Sequence, residues 1–172
     1  MKYLFINSVY GFGSTGRLVA QTCERLKDEG HVCAAAYARA CVDNGAAQLI
    51  RIGTRADYLL HAGLTRLFDL NGYGSIIATY RLLSQIECFQ PDVVWLHNLH
   101  GYYLNVGILF RWLKARPHIK VYWTLHDCWA FTGHCAHFSA AKCERWRFGC
   151  GACPQLRAYP KTYGVDRTRQ RF

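Results

Sequence analysis

Three short polar clusters and one run of cysteines hold the chemistry that this sequence offers. The first cluster is Gly11-Phe12-Gly13-Ser14-Thr15-Gly16-Arg17. Its G-x-G-x-x-G spacing lets backbone approach a ligand closely, and the helix expected next presents free amides to a phosphate. Gly13, Ser14, Thr15, Gly16 and Arg17 are therefore candidate phosphate contacts. Tight strand–helix packing would use the same glycines. A dinucleotide-binding site would also want an acidic residue about 20 positions on. The sequence has Tyr37-Ala38-Arg39 there. An NADP-dependent oxidoreductase, with Arg39 on the cofactor's extra phosphate, stays open as an alternative.

The second cluster is His97-Asn98-Leu99-His100 and the third is His126-Asp127. His126 is the candidate catalytic residue: an imidazole there could donate to a phosphate or a sugar hydroxyl, or take a proton. Consecutive residues of an extended chain point to opposite faces, so Asp127 is not assigned as the partner of His126; His97, Asn98, His100 and Asp127 are candidate contacts to a substrate or donor phosphate. The cysteines read Cys128-x6-Cys135-x7-Cys143-x6-Cys150-x2-Cys153, with His134 and His137 among them. Cys150-x2-Cys153 is a common zinc half-site, and Cys135-x7-Cys143 is a wider second half. Cys135, Cys143, Cys150 and Cys153 are the candidate ligands of a structural zinc. Reduced, packed thiols are the other reading. Trp129, Phe131, Trp146 and Phe148 are expected to form a small local core.

The elements that would position these clusters alternate between strand and helix. Residues 2–7 form a short, nearly continuous apolar run of the kind found in buried parallel strands. The spacing Leu18, Val19, Thr22, Cys23, Leu26 is helical, and Gly30 falls where a helix-ending glycine belongs. Strands are expected over 32–37, 49–52, 93–96 and 119–125, with helices over 55–70, 75–89 and 104–114. This predicts an α/β, Rossmann-like, doubly wound and mostly parallel sheet, with a Cys-rich irregular excursion over 128–164 after the fifth strand. Ligands of such sheets bind at the carboxyl ends of the strands. The three polar clusters should therefore share one rim.

The 172 residues suit one domain, and no run approaches the ~18 apolar residues of a membrane span. The start has no long apolar core of a secretory type, so the nine cysteines are expected reduced, in a cytoplasmic setting. Charge is uneven. Residues 1–110 carry nine Lys/Arg against eight Asp/Glu, and residues 111–172 carry twelve against three. The basic part would suit phosphates, an anionic membrane surface or nucleic acid, so a zinc-stabilised nucleic-acid-binding module is a further alternative.

Four segments together carry a family resemblance. They are Phe5 to Arg17, Val94 to Asn105 (VWLHNLHGYYLN), Trp123 to Cys135 (WTLHDCWAFTGHC) and Gly149 to Gln155 (GCGACPQ). They resemble the N-terminal region of bacterial family-4 glycosyltransferases, especially those of polysaccharide clusters of the colanic-acid type. The resemblance implies a GT-B architecture of two Rossmann-like domains. It implies transfer of a sugar from a nucleotide-diphosphate donor to a glycan or lipid-linked acceptor, with retained configuration and no catalytic metal. By the same resemblance, Gly13, Ser14, Thr15 and Gly16 match the donor-diphosphate loop. His126 matches a histidine that reaches the donor sugar or phosphate, and His97 and Asn98 match the preceding rim. The second domain of the family, with its E-x7-E element, has no counterpart in residues 1–172. They are therefore expected to be an incomplete N-terminal domain, inactive alone, that works at the inner face of the plasma membrane.

Overall fold

The computed structural model describes residues 1–171. Its strands are β1 (Lys2–Ile6), β2 (Val32–Tyr37), β3 (Gln48–Arg51), β4 (Val93–Leu96) and β5 (Lys120–Trp123). Its helices are α1 (Gly13–Asp28), α2 (Arg55–Phe68), α3 (Ile76–Phe89) and α4 (Val106–Lys114). All strand pairs are parallel, in the order β3-β2-β1-β4-β5. This is the doubly wound, Rossmann-like arrangement. The strand order reverses between β1 and β4, which opens a crevice at their carboxyl ends.

The strands are short and apolar because both faces are covered. On one face Leu4, Ile6 and Val94 pack with Leu82 and Ile86 of α3 and Leu109 and Leu113 of α4. On the other, Phe5 and Ala35 pack with Val19, Ala20 and Cys23 of α1. The alanines of β2, Ala34 to Ala36, are all buried and occupy little depth beside the bulkier side chains of β1. Local signals start the helices. Thr54 and Asp57 form a reciprocal capping box at α2, and the Asn105 side chain accepts from the Ile108 amide at α4. Helix α1 differs: it begins at Gly13, inside the glycine cluster, and Phe12 gives it no side-chain cap. The second half of the expected loop is thus the helix's first turn. Strand β5 also ends two residues sooner than expected, at Trp123.

After β5 the described residues form only single 3-10 turns, the first at Trp129–Phe131 and the last at Thr168–Arg171. This segment is stitched onto the C-terminal end of α2. The Tyr163 and Gly164 amides donate to the Arg66 carbonyl, and Val165 donates to Leu67, satisfying helix-end carbonyls that lack intrahelical partners. Buried Asp69 accepts from Thr162 Oγ1 at 3.2 Å and from the Arg167 amide at 3.2 Å, and lies 2.9 Å from His134 Nδ1. The expected local core forms differently. Phe131, Phe138 and Trp146 cluster together, Trp129 joins the main core, and Phe148 is 86% exposed.

A Cβ on Gly164 would meet the Leu67 carbonyl oxygen at 2.0 Å. Gly164→Ala is therefore expected to destabilise the chain by about 1–3 kcal/mol, read as a lower urea midpoint, with little change in the slope.

Candidate active site

Parallel register sets three strand ends level. Ile6 pairs with Leu96, and Leu96 pairs with Trp123, so the residues that follow emerge on one rim. Asn7 follows β1 and is 1% exposed. Its side-chain nitrogen donates to the Val9 carbonyl at 3.0 Å and to Thr15 Oγ1 at 3.4 Å, and its side-chain oxygen accepts from the Asn98 amide at 3.3 Å. One buried amide thus joins the glycine cluster to the histidine loop of β4.

The glycines of the first cluster do separate things. Gly11 has φ +65°, and a Cβ there would lie 2.1 Å from the Val42 carbonyl oxygen. Gly16 is closed in by Val9 and the Gly11 amide, and its carbonyl accepts from that amide at 2.9 Å. Gly13 has open space around it, and its φ of +65° is what favours glycine. Ser14 and Arg17 are exposed and Thr15 is half-buried. The uncapped start of α1 carries partial positive charge from its free amides and has no acidic residue in its first turn, so it suits an anion.

Next along the rim, His97 is buried, and its Nδ1 lies 2.9 Å from His126 Nε2, with the rings stacked. One nitrogen must carry the proton and the other the lone pair, so this bond needs at least one neutral ring. Burial, and then the neighbouring His126, hold the His97 pKa down at about 4. Burial also lowers that of half-buried His126, against the opposing charge of Asp127. At neutral pH the pair is uncharged and acts through hydrogen bonds. Trp123 Nε1 donates to the His97 carbonyl at 3.0 Å and fixes that loop.

Asp127 turns away from His126. It lies 2.6 Å from His100 Nε2 and accepts from the Trp129 amide at 2.9 Å. Burial pushes its carboxyl up, but the His100 bond and charge outweigh that, and the pKa is lowered. His100 Nδ1 in turn meets Tyr159 Oη at 2.9 Å. His100 and Asp127 therefore clamp the segment after β5 against the β4 loop. The space left between the two loops is about 10 Å³, at most one water. Any larger ligand must lie on the open rim. Sequence reasoning missed Asn7, Trp123 and Tyr159 as parts of this assembly. Of these, Asn7 alone carried a signal: an amide at the end of the buried first strand.

The candidate zinc ligands fare differently. Cys135, Cys143, Cys150 and Cys153 do line one small cavity, together with His134. Among the described residues, however, no three His, Cys, Asp or Glu side chains form a group able to hold a metal ion as they stand. All four thiols are unpaired. The segment is also held by the hydrogen bonds of Asp69 and Asp166 and by the Phe131–Phe138–Trp146 cluster.

No family model matches the chain, and no solved structure matches it. A match among known proteins is WcaC of Escherichia coli (strain K12), which bears the name of a colanic acid biosynthesis glycosyl transferase. The chain is similar to this glycosyltransferase. The two are 34% identical over 127 residues, which is 72% of this chain and 30% of the relative. The similarity agrees with the resemblance carried by the four motifs. The chain spans less than a third of the relative's length.

His97 must gain a proton in the unfolded chain before it does in the folded one. Folding stability should therefore fall as pH drops from about 6.5 towards 4, by up to about 3 kcal/mol, and then stop falling on this account. His97→Asn is expected to flatten that part of the profile, measured by urea unfolding at stepped pH.

Proposed function

We propose that this chain is the incomplete N-terminal, Rossmann-like domain of a retaining GT-B glycosyltransferase. In this reading it lines one wall of a cleft whose other wall, a second domain, holds the donor's nucleotide. The observation that supports it best is the joining, through Asn7, of an uncapped helix start to a neutral histidine pair on one rim.

The chemistry assigned to each group follows from its surroundings. The anomeric carbon's bond to the donor phosphate oxygen breaks, and a bond to an acceptor oxygen forms. The acceptor's proton leaves with the diphosphate. Negative charge therefore grows on the leaving phosphates. The amides of Gly13 to Gly16, the Ser14 and Thr15 hydroxyls and the Arg17 guanidinium oppose it. His126 hydrogen-bonds a sugar hydroxyl or a phosphate oxygen as a neutral ring, with His97 holding its orientation from behind. Asn98 and the His100–Asp127 clamp hold the loops that present these groups. None of these steps calls on a metal.

The basic stretch 111–172 suits an anionic membrane surface that carries a lipid-linked acceptor, at the inner face of the plasma membrane. None of the described helices is long and apolar enough to cross a membrane. Vesicle co-sedimentation should rise with anionic lipid content and fall with salt.

The reading is tested by titrating the chain with nucleotide sugars and with NADPH while following amide shifts. Shifts at Gly13–Arg17 with a nucleotide sugar, reduced at least about tenfold in affinity by Ser14→Pro, are expected, since a proline there removes an amide from the helix start. Tight NADPH binding without nucleotide-sugar binding would transfer the loop to the oxidoreductase alternative. The chain alone is expected to show no turnover. Sugar transfer by residues 1–172 in a contamination-controlled assay would overturn the part of the proposal that requires a second wall.

A further inference from the structure

A second concave site lies on the same rim, on the far side of β1 from the histidines. It is a cavity of about 300 Å³ between the ends of β2 and β3 and the start of α2. Arg39, Arg51 and Arg55 line it, with Tyr58, Tyr102 and Tyr103. The three guanidiniums come from three different places: the turn after β2, the end of β3 and the first residue of α2. None is in a salt bridge among the described residues, while Arg116 and Arg147 elsewhere are so paired. Asp57 is the one carboxylate of the lining, so three positive charges face one negative charge there. Its Oδ2 accepts from the Thr54 amide and the Thr54 hydroxyl, both at 2.7 Å.

Three like charges around one hollow repel one another, and arginine forks match carboxylate and phosphate oxygens. Tyr102 Oη donates to the Pro160 carbonyl at 2.5 Å and Tyr103 Oη to the Asn98 carbonyl at 2.6 Å, so both buried rings have spent their hydroxyls on backbone. The half-buried Tyr58 ring is the aromatic surface left for a ligand, suited to a sugar face or an isoprenoid chain. The cavity also connects physically with the proposed reaction rim. Tyr102 and Tyr103 sit on the loop that carries His97, Asn98 and His100, and Arg39 reaches Ser8 Oγ at 3.4 Å just before the glycine cluster.

We infer that this arginine- and tyrosine-lined cavity binds the oxyanion-bearing end of the sugar acceptor, a phosphate or carboxylate held by Arg39, Arg51 and Arg55. The inference rests on the glycosyltransferase reading for the word acceptor; the oxyanion site itself stands on the cavity. Two sources share this chemistry: the diphosphate of a lipid carrier and the carboxylate of an acidic sugar.

The test follows backbone amide shifts of the whole chain with three probes: inorganic pyrophosphate, geranyl diphosphate and glucuronate, with glucose as the uncharged control. Pyrophosphate should move the amides of Gly53 to Tyr58, and the double variant Arg51→Gln/Arg55→Gln should weaken that response about tenfold or more. The response should fall with salt, and glucose should give none. Tighter binding of geranyl diphosphate assigns a lipid carrier, and tighter binding of glucuronate assigns an acidic sugar. Arg39→Gln gives a second reading of the same site if the double variant fails to fold, which far-UV circular dichroism would show. Pyrophosphate shifts confined to Gly13–Arg17, or a response at Gly53–Tyr58 unchanged by the variants, would overturn the inference. So would NADPH moving both regions together, since the cavity would then hold a cofactor phosphate. Nucleotide-sugar binding is read at Gly13–Arg17 in the same spectra, so failure of the glycosyltransferase reading is seen separately.

Discussion

A single buried amide side chain organises the rim. Asn7 leaves β1 with its backbone amide on the Ala36 carbonyl of β2, and then uses both ends of its side chain. The nitrogen holds Val9 and Thr15, and the oxygen holds the Asn98 amide. No other residue type does this at that place. An aspartate would lack the donors, and an apolar residue would leave the Asn98 amide without its partner beside a buried core. Glycine cluster, β2 end and histidine loop are thereby locked to one another at the point where the strand order reverses.

The electrostatics of the rim divide around that lock. On the β1 and α1 side, positive character comes from backbone: uncapped amides and glycines that leave them accessible. Towards β5, the histidine pair is neutral because burial makes a charge costly there. Towards β3, positive charge is carried by three arginine side chains around a hollow whose one carboxylate is Asp57. Three ways of meeting an oxygen-rich ligand thus lie side by side: a dipole, a neutral donor and formal charge.

The segment after β5 holds its shape through contacts with elements far away in sequence. Its amides cap α2, its His134 and Thr162 meet Asp69, and its Asp127 and Tyr159 brace His100. Buried polar groups satisfied in this way specify one arrangement of an otherwise irregular chain. That is why a segment with only single turns of helix stays tied to the rim.

Periodicity and turn chemistry carried the layered fold in the sequence. Apolar runs of four to six residues separated by helical spacings leave few options other than a parallel sheet covered on both faces. That topology alone brings residues 11–17, 97–100 and 126–127 to one edge. Partnerships were not readable, because they depend on side chains that meet across 27 to 91 residues of chain. His126 turned to His97 while its neighbour Asp127 turned to His100, as alternation allowed but could not choose. The Cys150-x2-Cys153 spacing was visible, but that the fold brings Cys135 and Cys143 to the same small cavity was not. The arginine cavity was equally invisible: Arg39, Arg51 and Arg55 look like scattered surface charge until the ends of β2, β3 and α2 bring them around one hollow. Local sequence decided which elements form, and tertiary packing decided which polar groups they share, because buried donors and acceptors must find partners wherever the fold puts them.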